Sequence, residues 1–320
     1  MPIPTMHALL DAISTLSLPM DAQRIFHGRG GLHPGCEQWA LDAYPPVLVL
    51  TSFAPVTDEE LATLGAALQQ RWLQIAPQGA PLNWVFQYRH GGGADTRLMA
   101  GSVPEPHTVT EQGAQFRVHV DKGQNHGLFL DMAEGRRWVR EHVAAHATAG
   151  AGGRGLKVLN LFAYTCAFSV VALQAGARQV VNVDMSRSAI AMGQYNHQLN
   201  GVTAGTSFLA HDIFSTWGKI TRSGPYGLVI VDPPSYQKGS FIATKDYARL
   251  MRRLPGLLAP GGHALLCLNA PELGLDFLQD QMRELAPELI FVERVANPLA
   301  FADVSPERAL KVLVYQAPPL

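Results

Sequence analysis

The sequence predicts an α/β protein: a doubly wound, mostly parallel seven-stranded sheet preceded by a smaller α+β domain. Three observations carry that expectation. From Leu156 onward, short β-branched runs alternate with helical stretches, the pattern of parallel strands joined by crossover helices. Most of these runs are continuously apolar, as strands covered on both faces must be. Finally, 320 residues with 47% hydrophobic content exceed what a single core organises, so two domains are expected, at 1–115 and 116–320.

In the first domain, residues 47–53 read as a strand, and Thr57 with Glu60 forms a capping box that opens a helix at 58–75. Strands follow at 83–88 and 115–120, while the first forty residues look irregular. Residues 135–146 read as a helix, and the small-residue stretch 147–155 as a link. The second domain then offers strands at 157–161, 179–184, 206–210, 227–231, 262–268, 289–295 and 309–315. Helices at 167–175, 188–200, 247–257 and 275–285 fill the connections. A loop holding Pro298 and Pro306 joins the last two strands, which suggests an antiparallel pair at a sheet edge.

Composition narrows the function classes. No uncharged apolar run reaches the ~18 residues of a membrane span, and no basic leader precedes the first apolar residues, so a cytoplasmic protein without membrane contact is expected. Cys36, Cys166 and Cys267 lie far apart without a C-x-x-C pair, which argues against a disulfide framework or a zinc site. His142 and His146 stand at i, i+4 but lack the acidic residue of H-E-x-x-H, so no metal is predicted. With a net charge of −1 and a pI near 6.9, the chain has no basic surplus of the kind dedicated nucleic-acid binders show. Any basic patch must be local; Arg89, Arg97, Lys122, Lys245, Arg249 and Arg253 are among its candidates, each more often a solvated surface charge.

Chemistry in such a sheet belongs at the carboxyl ends of the strands. The loop after the first strand of the second domain, Asn160 to Phe168, lacks G-x-G-x-x-G, which weakens a diphosphate ligand and leaves room for one without phosphate. Asp184 ends the next strand, where a carboxylate can accept both hydroxyls of a ribose; helix capping is the plainer alternative, and Ser186 can supply it. Asp212 follows the third strand and could accept an exocyclic amine, or be an ordinary turn residue. Most specific is Asp232-Pro233-Pro234-Ser235-Tyr236 after the apolar strand 228–231, because two prolines hold the backbone rigidly beside a residue that can face a flat base.

These motifs resemble a family: the S-adenosylmethionine-dependent methyltransferases of large-subunit 23S ribosomal RNA, of the RlmI and RlmK kind. The resemblance rests on Gly127-Leu128-Phe129-Leu130-Asp131, NLFAYTCAFSV at 160–170, VDMSRSAI at 183–190, Asn200-Gly201, VDPPSY at 231–236 and Ala259-Pro260-Gly261-Gly262. It covers roughly residues 115–320, with weaker similarity upstream. It implies a Rossmann-like class I fold with S-adenosyl-L-methionine as cofactor, ribosomal RNA as partner, and a first domain that contacts the RNA. The cofactor would be held by Asn160, Phe162, Tyr164 and Thr165, by Asp184 and Met185 at the ribose, by Asp212 and Ile213 near the adenine, and by Asp232. Asp131 and Arg136 would close over its methionine end. The chain departs from the family at Cys166 and Ala167, where glycines are common, and at Ala133, where a further arginine is.

The resemblance also bears on the target atom. Cytosine C5 is a poor nucleophile and needs a cysteine to add to the ring first; cytosine-modifying relatives carry it in a Ser-Cys-Ser-Gly loop after the fifth strand. Here Asn269 occupies the aligned position, and Cys267 falls inside the strand as a buried structural thiol. Guanine-N7 relatives carry Ser-Asn-Asn there. Methylation of guanine N7 or another nitrogen is therefore expected, with Asp232, Tyr236 and Asn269 facing the base. The alternative is a methyltransferase for a small molecule or protein, which the neutral pI suits; the missing phosphate glycines argue against a nicotinamide-dependent oxidoreductase.

Overall fold

The computed structural model describes residues 6–91, 93–149, 155–234, 236–237 and 241–320. Ser235, Lys238 and most of the expected link at 147–155 lie outside the described residues. Two compact units divide the chain: Met1–Asp131 with Pro298–Ser305, and Met132–Asn297 with Pro306–Leu320.

The first unit contains α1 (His7–Thr15), β1 (Gln23–His27), β2 (Trp39–Tyr44), β3 (Val47–Ser52), α2 (Asp58–Ile75), β4 (Asn83–His90), β5 (Gly93–Ala100), β6 (His107–Glu111) and β7 (Ala114–Val118). Strands β1 to β5 form one sheet in sequence order. Only β3 and β4 pair in parallel, because α2 crosses between them. That helix opens on the expected capping box, with the Glu60 amide donating to Thr57 Oγ1 at 3.2 Å and the Thr57 amide to Glu60 Oε2 at 2.8 Å. Its buried face is Leu61, Leu64, Leu68 and Trp72, a helical period that seals it onto Trp84 and Phe86 of the sheet.

Three strands that the sequence concealed, β1, β2 and β5, complete this sheet. β2 is wholly buried yet contains Asp42, whose charge makes the run look like surface. Arg24 of β1 neutralises it through two parallel bonds, Nε to Oδ1 at 2.7 Å and Nη2 to Oδ2 at 3.0 Å. The boundary between the units falls after Asp131 rather than after residue 115, since the β6–β7 hairpin is fastened to the first unit. The Ala22 amide donates to the Thr110 carbonyl at 2.8 Å, and Thr110 Oγ1 donates to Asp21 at 2.6 Å.

The second unit contains α3 (Ala133–Ala149), β8 (Lys157–Leu161), α4 (Ala167–Gln174), β9 (Gln179–Asp184), α5 (Arg187–Leu199), β10 (Thr206–Ala210), α6 (Trp217–Ser223) and β11 (Tyr226–Val231). It continues with β12 (Tyr236–Gln237), β13 (Phe241–Ile242), α7 (Ala243–Met251), α8 (Leu254–Leu257), β14 (Leu258–Leu268), α9 (Leu275–Leu285), β15 (Ile290–Arg294) and β16 (Lys311–Gln316). Seven strands lie in the order β10-β9-β8-β11-β14-β16-β15. β16 runs antiparallel to both neighbours, and the other paired strands run parallel. The helix expected at 247–257 is two helices, with Pro255 in the first turn of the second, where a missing amide costs nothing. Chain order reverses between β8 and β11, so the crevice of this sheet opens where those two strands end.

Candidate active site

Three side-chain-bearing residues in the loop after β8 adopt left-handed backbone conformations: Phe162 at φ 57°, Tyr164 at 46° and Cys166 at 61°. Each costs on the order of 1 kcal/mol relative to glycine, so the surrounding structure must hold the loop in place. It does so from the neighbouring strand. The Ala163 amide donates to the Val183 carbonyl at 3.1 Å, the Tyr164 amide to Asp184 Oδ2 at 2.8 Å, and Asn196 Nδ2 of α5 to the Thr165 carbonyl at 3.0 Å. Cys166 thus reaches without a glycine the backbone state that the family's glycines would supply. Its thiol is fully buried; burial, then the nearby Asp184 carboxylate, pushes its pKa upward, so it stays protonated.

Asp184 is the hinge of the arrangement. One carboxylate oxygen accepts the Tyr164 amide and the other the Ser186 amide, each at 2.8 Å, while Ser186 Oγ caps α5 by accepting the Ala189 amide. The carboxylate is therefore aimed by its own backbone neighbours, and its partial exposure leaves lone pairs open to a ligand's hydroxyls. Met185 beside it is 49% exposed, an apolar side chain presented at the strand end. Asp212 is exposed and accepts the Ser215 amide through Oδ2 at 2.9 Å; Ile213 next to it is buried in the core. Asp232 directly follows β11, the strand beside β8, and precedes the buried Pro233.

Aromatic packing closes the side of the crevice. Phe162 meets Phe241 at 5.1 Å between ring centroids, Phe241 meets Tyr247 at 5.5 Å, and the buried Tyr247 hydroxyl donates to the Cys267 carbonyl. Asn269 is exposed just past β14, whereas Cys267 is buried within the strand. A buried ammonium, Lys311 Nζ, donates to the Ala270 carbonyl at 2.9 Å and to the Glu307 carbonyl at 2.8 Å, which anchors the segment carrying Asn269. Sequence reasoning passed over Lys311 because a lysine in a strand reads as surface.

One predicted residue, Asn160, is turned to a partner within the sheet. Asn160 points to the sheet's other polar interior, where its Nδ2 donates to Asn182 Oδ1 at 2.9 Å. Tyr236 lies in the two-residue strand β12, paired with Ile242. Arg136 is buried in α3 of the second unit, and Asp131 closes the first unit.

The donor set decides what can bind. Asp184 ends β9, Asp212 stands two residues past β10 and Asp232 directly follows β11, and such a rim disfavours a diphosphate. It suits a ligand that carries hydroxyl donors and positive charge. Among the described residues, no group of three or more His, Cys, Asp or Glu is placed to hold a metal ion, and no helix is long and apolar enough to cross a membrane.

Comparison with known proteins agrees. The chain is 32% identical over 173 residues to a ribosomal RNA large subunit methyltransferase I from Aeromonas salmonicida, covering 52% of this chain and 41% of that one. It therefore spans about two fifths of that relative's length. Over 285 residues it is 26% identical to a methyltransferase I from Erwinia tasmaniensis, covering 86% of this chain and 68% of that one. Its fold matches the solved structure of SMU.776 complexed with SAH, at a TM-score of 0.76 and 21% identity over 97% of this chain and 78% of that one. The model of the S-adenosylmethionine-dependent methyltransferase family matches residues 23–316; the chain belongs to that family and takes S-adenosylmethionine as its cofactor.

Proposed function

We propose that the chain methylates a base nitrogen of large-subunit ribosomal RNA in the cytoplasm, with guanine N7 ahead of cytosine C5. The observation that carries this is the placement of Cys267 inside β14, fully buried, with Asn269 exposed at the strand end where a covalent nucleophile would have to stand. Support for the RNA comes from the relatives, which are named as ribosomal RNA large subunit methyltransferases of types I and K/L.

S-adenosylmethionine supplies a methyl group already activated by positive sulfur. The protein's task is alignment and exclusion of water. Asp184 and the left-handed loop hold the adenosyl end, Asp212 and Met185 flank it, and Arg136 takes the methionine end. Asp232 with the following prolines, Tyr236 and Asn269 orient the base edge. With the donor so held, a ring nitrogen with a lone pair, such as N7, would accept the methyl group without a protein thiol and without losing a proton.

Labelled S-adenosylmethionine and undermodified large-subunit RNA, followed by nucleoside mass mapping, test the reading. We expect a methylated purine nitrogen, with Cys267→Ser retaining at least about half the activity, because a buried swap of this size costs stability by about 1 kcal/mol and leaves the chemistry alone. A 5-methylcytosine product, lost in that variant, would refute it.

A further inference from the structure

In the first unit, β1, β3 and β4 point the same way, so their carboxyl ends meet at one edge of the sheet. That edge carries Arg29, Phe53 and Arg89. The Arg29 guanidinium lies 4.1 Å from the centre of the Phe53 ring and that of Arg89 5.8 Å from the same centre. We propose that this Arg29–Phe53–Arg89 cluster is a binding site for single-stranded RNA, with phosphate on the two guanidiniums and a base on the cation–aromatic stack. The proposal rests on the RNA reading above and assigns the surface that takes the substrate.

The cluster is built, not incidental. Arg29 sits in a single 3-10 turn between Gly28 and Gly30, and neither glycine can be replaced: a Cβ on Gly28 would lie 1.8 Å from the Cys36 carbonyl oxygen, one on Gly30 2.1 Å from that of Ala302. The turn is thereby clamped against backbone on both sides while the Arg29 side chain stays exposed. Arg89 is held from behind, its Nε donating to Gln87 Oε1 and its Nη2 to the Gln124 carbonyl, both at 2.6 Å. Phe53 is fixed by its amide bond to the Gln38 carbonyl at 2.9 Å.

Charge supplies the second argument. Three guanidiniums gather here, and the buried carboxylate Asp42 is held by Arg24 through two hydrogen bonds. Arg29 and Arg89 have no ion pair among the described residues. Burial lowers the pKa of Arg89. Two guanidiniums beside one ring, neither with an ion pair among the described residues, suit an anion that brings its own flat group, as a nucleotide does. In a chain of net charge −1, such a local concentration provides the electrostatic footprint that composition alone lacks.

The test compares the full chain with Arg29→Ala/Arg89→Ala and with Arg29→Lys. Anisotropy of a labelled, mixed-sequence single-stranded RNA is titrated over a salt series, with calorimetric S-adenosylmethionine binding and a thermal melt as controls for folding. We expect the double variant to bind RNA at least about tenfold more weakly and to lose about 1.4 from the slope of log affinity against log salt, about 0.7 for each lost phosphate contact on a single strand. Arg29→Lys should retain the slope and lose affinity, since an ammonium keeps charge without the planar fork. Unchanged RNA affinity and slope in the double variant would overturn the assignment while leaving rRNA methylation standing. So would inorganic phosphate or polyglutamate displacing RNA from the wild type at matched charge. A wild-type chain that binds S-adenosylmethionine but neither binds nor methylates RNA would remove both this inference and the function it rests on.

Discussion

Asp184 uses both carboxylate oxygens on backbone amides, so its removal does two things at once: it takes away the proposed ribose acceptor and unties the loop after β8. Asp184→Ala should weaken S-adenosylmethionine by about tenfold or more in calorimetry, the scale of a hydrogen bond to a charged group. The loop's other constraint is steric. A Cβ on Gly193 would lie 2.4 Å from Cys166 Sγ, so α5 approaches the loop this closely only because residue 193 has no side chain. Gly193→Ala should lower stability by about 1–3 kcal/mol in denaturant unfolding, and Cys166→Ala in the same chain should recover most of it. Independent, additive losses would show that the two residues do not share that space. The place of Asp184 at the end of β9 was legible in the sequence because it closes an apolar run. Gly193 was not, since only its approach to a residue far along the chain gives it meaning.

At the scale of elements, the strands β8 and β9 and helices α4 and α5 are joined by a buried polar chain. His197 Nδ1–H donates to the Gly193 carbonyl at 2.6 Å, which fixes the tautomer, so Nε2 accepts the Ser169 hydroxyl at 2.8 Å. Asn182 Nδ2 donates to Ser169 Oγ at 3.0 Å, and Asn160 Nδ2 to Asn182 Oδ1 at 2.9 Å. Burial lowers the His197 pKa, in keeping with a neutral ring. Ser169→Ala leaves one donor and one acceptor without partners. It should cost about 1–3 kcal/mol in unfolding and loosen the cofactor loop, seen as faster amide exchange at residues 162–166. Loss of stability with unchanged exchange there would separate the network from the loop. Of its members the sequence singled out Asn160, as a ligand contact; its amide faces Asn182 because a strand's side chains alternate faces and Leu159 and Leu161 take the other one.

Across the whole molecule, buried histidines set the acid limit. Burial, helped by Arg89, lowers His126 to about 4; burial with Arg24 lowers His27 to about 4; burial with His263 and His146 lowers His142 to about 3. In the unfolded chain these rings titrate near 6.5. Between about 6.5 and 4, the unfolded state therefore holds more protons, so stability rises with pH through that window and is lost as pH falls through it. The melting temperature should be steady near neutrality and decline steadily below about pH 6.5. His142→Gln should flatten part of that decline; an unchanged profile would mean the ring does not resist protonation.

The chain's own order of residues determined the doubly wound sheet, its antiparallel ending, the capping box of α2 and the three acidic strand ends, because each follows from local periodicity or from a motif contiguous in sequence. Tertiary structure alone decided the rest. Strand β2 with its buried Asp42, the lysine beneath the Asn269 segment and the arginine pair on Phe53 all depend on partners from distant parts of the chain. A charged residue looks like surface until the group that neutralises or stacks on it is brought alongside, and that proximity exists only once the chain has folded.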